Sequence, residues 1–155
     1  MRNPGRFHIT WQDDQTLKVE ADAGTQTRIW SFDTPKGQGG DLQGVSKAEW
    51  EFDPVQGGFS FGGGGRGGAN RTGSLKVVTT KLKPGYLRGN GVPYSANAVV
   101  TEYYDLVKED NGDTYLVLTQ TVEDPTYLTG PMENAAHFKK QADATGWNPS
   151  PCMAK

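Results

Sequence analysis

The stretch AVVTEYYDLVKEDNGDTYLVLTQTVED, residues 98–124, decides the fold. Apolar and polar residues alternate along both of its halves, the period of a half-buried strand rather than the 3.6 of a helix. Between the halves, KEDNGD carries an Asn-Gly pair at its centre, the residue type that a tight turn between antiparallel strands requires. Residues 98–107 and 114–124 therefore read as a β-hairpin, the strongest in the chain.

The same period runs outward in both directions. RFHITW places Phe7, Ile9 and Trp11 on one face, and TLKVEA does so with Leu17, Val19 and Ala21; QDDQ between them supplies turn residues, so residues 6–21 read as a second hairpin. TQTRIWSF (25–32) is a third strand. AEWEF (48–52) is a short fourth, with Ala48, Trp50 and Phe52 inward, and SLKVVTTKL (74–82) is the fifth. KPGYLRGNGVPYS (83–95) holds glycines and prolines that forbid regular structure. AAHFKKQ (135–141) is the eighth strand, and an irregular tail follows at about 142–155.

Eight short strands with local connections and no crossover helix favour one all-β domain, an up-and-down antiparallel meander. Closing such a meander removes both exposed edges and leaves an interior sized for side chains or one small ligand. The expected architecture is a lipocalin-like barrel, with a flattened β-sandwich as the alternative.

Composition agrees with one folded domain. At 155 residues a single core buries about 68–70% of the surface the unfolded chain exposes. The hydrophobic fraction is only 34%, but 21 glycines account for much of the deficit, and 6 Phe, 6 Tyr and 4 Trp argue against disorder. Sixteen basic residues face 18 acidic ones, interspersed, for a net charge of −2. No basic field exists to gather nucleic acid or a membrane surface, no apolar run approaches the roughly 18 residues of a membrane helix, and MRNPGRFHITW lacks the apolar core of a signal peptide. A soluble chain is expected, its oligomeric state open.

GGFSFGGGGRGGANRTGS (57–74) formally contains G-x-G-x-x-G at Gly62, Gly64 and Gly67. It lacks the following helix of a dinucleotide site and the Lys-Ser/Thr pair of a phosphate loop, and its single GRGG lacks the basic repeats of an RNA-binding segment. It reads as a glycine-rich connector at about 53–73, long enough for a flap over a barrel mouth. Asn70-Arg71-Thr72 is a glycosylation sequon only in an exported chain.

Candidate chemistry is sparse. Along the first strand of the central hairpin, Thr101, Tyr103 and Asp105 share one face, and Glu102 shares the other with Val100, Tyr104 and Leu106. A carboxylate on an apolar face is costly to bury unpaired and would have a raised pKa suited to proton transfer. Glu102 is thus the first catalytic candidate, and the plainer alternative is a salt bridge to Arg28 or Arg88. His8 and His137 fall in the first and last strands, neighbours in a closed barrel, and are secondary proton-transfer candidates. A solvent-facing His8 is the plainer reading. Zinc would need a third ligand such as Glu102 or Asp124, no short His spacing is present, and neither metal nor cofactor is expected. Glu102 and Asp124 would also be the two acids of a glycosidase arrangement. Tyr86, Arg88 and Tyr94 form an aromatic and cationic set suited to a pocket mouth or to plugging a barrel end, and Trp11 and Tyr104 complete the candidate ligand contacts.

At GSLKVVTTKLKPGYLRGNGVPYS, VVTEYYDL, TVEDPTYLTGPM and HFKK…WNPSPC the chain resembles an uncharacterised group of predicted secreted bacterial proteins, over roughly residues 1–152. The resemblance implies an exported or periplasmic origin, and that Cys152 has lost a disulfide partner or the chain is a trimmed form. It carries no activity. Three functions remain open from the residues: a binding module for a small, mainly apolar or aromatic molecule, a small-molecule isomerase, lyase or hydrolase, and a structural or protein-interaction β-domain.

Overall fold

A computed structural model describes residues 5–52, 73–87 and 91–151. The body of the glycine-rich stretch, the sequon, Arg88 and Cys152 lie outside the described residues.

Among the described residues every regular element is a strand. They are β1 (Phe7–Asp13), β2 (Thr16–Ala21), β3 (Ala23–Gly24), β4 (Gln26–Ser31), β5 (Val45–Phe52), β6 (Gly73–Thr80), β7 (Gly85–Tyr86), β8 (Pro93–Tyr94), β9 (Val99–Lys108), β10 (Thr114–Glu123), β11 (Met132–Lys139) and β12 (Ser150–Pro151). Eight of them form one sheet in the order β1-β2-β4-β5-β6-β9-β10-β11, mostly antiparallel and curled into a half-barrel. No helix among the described residues is long and apolar enough to cross a membrane.

The central hairpin forms as its sequence dictates. β9 and β10 pair from Lys108↔Thr114 to Val99↔Glu123. In the turn, Glu109 N–H donates to Asp113 C=O at 2.9 Å and Gly112 adopts φ +88°, a conformation glycine enters without steric cost.

One step departs from the expected meander: β4 and β5 run parallel, pairing Trp30↔Ser46 and Ser31↔Lys47. The connection, residues 32–44, is about the dozen residues that a parallel crossover needs. It is pinned to the end of β6 by Gly40 N–H to Lys81 C=O and Lys83 N–H to Asp41 C=O, both at 2.7 Å. Gly44 closes it at φ +63°, where a Cβ would stand 2.4 Å from the Thr80 carbonyl oxygen.

The concave face carries two apolar clusters. Leu17, Val19, Trp30, Ala48, Leu75, Val77, Tyr104 and Leu118 form the first. The second is built from Leu82, Leu87, Tyr94, Ala98, Val100 and Val122. Trp30 is fully buried, its ring 4.8 Å from that of Tyr104, and burying a side chain of this size stabilises the fold by about 1.5–3 kcal/mol or more. β1 and β11 stand at the two ends of the strand order. The curl brings them together through side chains, with the Phe7 and Phe138 rings 4.7 Å apart.

Alternation assigned the faces correctly but not the depth of burial. Ala48 is buried, whereas Trp50 and Phe52 on the same face are about half exposed, as is Trp11 on β1. These rings lie toward the open rim of the curl, where Trp11, Phe32 and Trp50 stack in sequence with centroids 5.5 and 5.8 Å apart.

Candidate functional site

Among the described residues the concave face is mainly apolar, and Arg28, Ser46, Thr79, Glu102 and Gln120 are among the polar residues that interrupt it. β9 turns Glu102 inward between Val100 and Tyr104, and the hairpin register sets Gln120 directly across from it. Gln120 Nε2 donates to Glu102 Oε1 at 3.0 Å. Arg28 comes from β4, separated from β9 in the sheet by β5 and β6. Its side chain reaches Glu102 across those two strands and meets Thr79 of β6 on the way.

At the far end Arg28 grips Glu102 with both terminal nitrogens, Nη1 to Oε1 at 3.0 Å and Nη2 to Oε2 at 2.5 Å. This two-pronged arrangement is the strongest form of the arginine–carboxylate contact. Nη2 also donates to Thr79 Oγ1 at 3.0 Å, and Thr79 shares a hydrogen bond of 2.8 Å with Ser46 Oγ. The Tyr104 hydroxyl donates to Glu102 Oε1 at 3.3 Å. Glu102 is only 2% exposed, so its carboxylate is held by protein donors rather than water. The plainer of its two expected roles, the salt bridge, is the one the fold uses, with Arg28 as partner.

The electrostatics follow from this packing. Burial alone pulls the Arg28 pKa down, but the charge of Glu102 and the Tyr104 oxygen more than offset it, and the guanidinium is held above its ordinary range. Burial and then the Glu102 charge push the Tyr104 phenol up, so it stays a proton donor.

Beside this cluster lies a cavity of about 760 Å³ whose lining includes Arg28, Thr79, Glu102 and Gln120. Phe7, Val19, Leu82, Tyr94, Val100 and Leu118 supply apolar walls. Two small ladders build its mouth: β7 with β8, and β3 in parallel with β12. The second ladder is riveted by Asp22, whose Oδ1 accepts the Arg6 and Ala23 N–H groups at 2.9 and 2.7 Å and whose C=O accepts Ser150 N–H at 2.9 Å. The first depends on Gly85, where a Cβ would meet the Tyr94 hydroxyl at 2.8 Å. Asp124 fixes the chain after Tyr94, accepting Ser95 N–H at 2.5 Å, Ser95 Oγ at 2.8 Å and Thr126 N–H at 2.9 Å.

The sequence candidates thus separate. Glu102, Tyr94 and Tyr86 line the cavity, and Tyr104 braces Glu102 from within the core. Trp11, 57% exposed, belongs to the aromatic row at the rim and is not among the lining residues. Both histidines face outward. His8 Nδ1 lies 3.3 Å from Glu20 Oε2 and its ring meets Trp147, while His137 packs edge-on against Tyr115. The pleat explains this, since Phe7 and Phe138 turn inward and their neighbours in sequence must turn out. Asp124 is occupied with backbone donors and does not face Glu102 as a second catalytic acid. No group of three or more metal-ligating side chains occurs among the described residues.

Sequence reasoning missed Ser46, Thr79 and Gln120. Gln120 was accessible: a hairpin turning about Asn111 puts residues nine positions to either side opposite each other. No local signal marks Thr79 or Ser46, which enter through the sheet's long-range order.

No family model matches the chain, and neither a curated protein nor a solved structure is similar to it.

Proposed function

We propose that the chain is a binding module that holds a small, mainly apolar molecule in the concave cavity, with the molecule's polar end directed at the Arg28–Glu102 cluster. The observation that carries this reading is the cavity itself. Its volume of about 760 Å³ falls within the roughly 300–1,000 Å³ of ligand sites, and its apolar walls surround a few convergent polar groups, the pattern that such sites share. Proton transfer by Glu102 is disfavoured because its oxygens already accept from Arg28, Gln120 and Tyr104. A base so occupied would have to break those bonds to take a proton.

A thermal-shift screen over lipophilic metabolites with polar head groups tests the reading. A ligand specific for the native state at a hundredfold excess over Kd stabilises it by about 2.7 kcal/mol, a rise of roughly 5–11 °C in Tm for a chain of this size. Ala21→Trp, which fills the cavity from β2, should abolish the shift while leaving the fold intact. An undiminished shift in that variant, or no shift across the screen, would contradict the proposal.

A further inference from the structure

We infer that the cavity selects an uncharged amphiphile, one whose head is an amide or hydroxyl group, over carboxylates and ammonium ions of the same length. This rests on the binding role proposed above and adds the charge class of the ligand. Among the described residues lining the cavity, Arg28 and Glu102 are the only charged ones, and they neutralise each other through a two-pronged contact. The other polar lining groups include Gln26, Gln43, Thr79 and Gln120, all neutral.

A carboxylate brought to Arg28 would meet the Glu102 charge a few ångströms further on. The attraction and repulsion nearly cancel, and the ion would surrender its hydration for no net counter-charge. An ammonium fares no better. Glu102 is almost wholly buried behind its existing donors, and Arg28 is the more accessible partner, with 19% of its side chain exposed. An amide has neither difficulty. Its carbonyl oxygen can accept from the guanidinium without displacing Glu102, its N–H groups can donate to the side-chain amide oxygens of Gln26 and Gln43, and its chain lies along Val100 and Leu118.

Octanamide, octanoate and octylammonium share a chain and differ in charge, and titration calorimetry of each into the wild-type protein at pH 7 tests the inference. Octanamide should bind at least tenfold more tightly than either ion, a difference of about 1.4 kcal/mol. In Glu102→Gln the guanidinium loses its counter-charge, and octanoate should bind at least tenfold more tightly than it does to the wild type. Octanoate matching octanamide on the wild type, or unchanged octanoate affinity in folded Glu102→Gln, overturns the charge selectivity alone. Should Glu102→Gln fail to fold, the wild-type comparison decides. If none of the three binds, the binding role itself falls, and the selectivity with it.

Discussion

Replacing Glu102 by Leu removes the centre of the interior cluster. Four hydrogen bonds end on that carboxylate, two from Arg28 and one each from Gln120 and Tyr104. Without it the guanidinium remains inside the curl with no opposite charge, and breaking a buried pair in this way costs about 3–5 kcal/mol. The Arg28 side chain keeps 19% of its surface exposed, so water offsets part of the loss and the lower end, about 3 kcal/mol, is expected. For a chain of this length that corresponds to a fall of roughly 6–12 °C in Tm. Arg28→Met alone should cost a similar amount. The double variant removes both charges and restores an apolar interior, and should lie within about 1–2 kcal/mol of the wild type. Urea denaturation of all four proteins at pH 7 gives the coupling energy directly. A cost below about 1 kcal/mol for Glu102→Leu, or a double variant whose loss equals the sum of the singles, would show that the pair is not the coupled buried unit described above.

The two most informative tryptophans should respond very differently to truncation. Trp30→Ala should cost about 3–5 kcal/mol, whereas Trp50→Ala, which loses only a rim stacking contact, should cost about 1 kcal/mol; equal denaturation midpoints would refute the assigned depths. Asp124 sets an acid limit. Burial raises its pKa, but the Ser95 and Thr126 donors outweigh burial and hold it below the ordinary carboxylate value. Its contribution to stability is therefore present above the unfolded value of about 3.9 and lost as pH falls through the lower folded value. Asp124→Asn should flatten the fall in stability between about pH 5 and 2, and an unchanged slope would contradict the assignment. Gly44→Ala places a Cβ against the Thr80 carbonyl at φ +63° and should destabilise by about 1–3 kcal/mol. Gly112→Ala, at φ +88° with open space around it, should cost less, and the reverse order would argue against the crossover geometry.

Period-two alternation in residues 98–124 and 6–21 was enough to read an all-β chain with eight main strands, because that pattern is local. The parallel pairing of β4 with β5 was not legible, since it depends on where residues 40–44 dock at the end of β6. The same limit applied to the site. Glu102 stood out as a carboxylate on an apolar strand face, and Arg28 was one of two arginines named for it. That Arg28 is the partner follows from the curl, which lets β4 reach β9 across two intervening strands. Trp50 reads as core and Trp11 as a ligand contact in the sequence because alternation reports a face and says nothing of distance from the rim. For the histidines the plainer reading, a solvent-facing His8 opposite Phe7, Ile9 and Trp11, is the one the fold adopts, and His137 turns outward with it: strand ends can converge while the pleat turns particular side chains away from the interior.

The most direct test is a two-dimensional amide NMR titration of the protein with octanamide, following the Gln120 side-chain NH₂, the Arg28 guanidinium N–H and the backbone of residues 98–104 and 116–122. Saturable shifts concentrated at Gln120, Arg28, Val100 and Leu118 are the predicted result. Shifts confined to the Trp11–Phe32–Trp50 row or to the outward face around His137 and Tyr115, with the interior cluster unmoved, would contradict it.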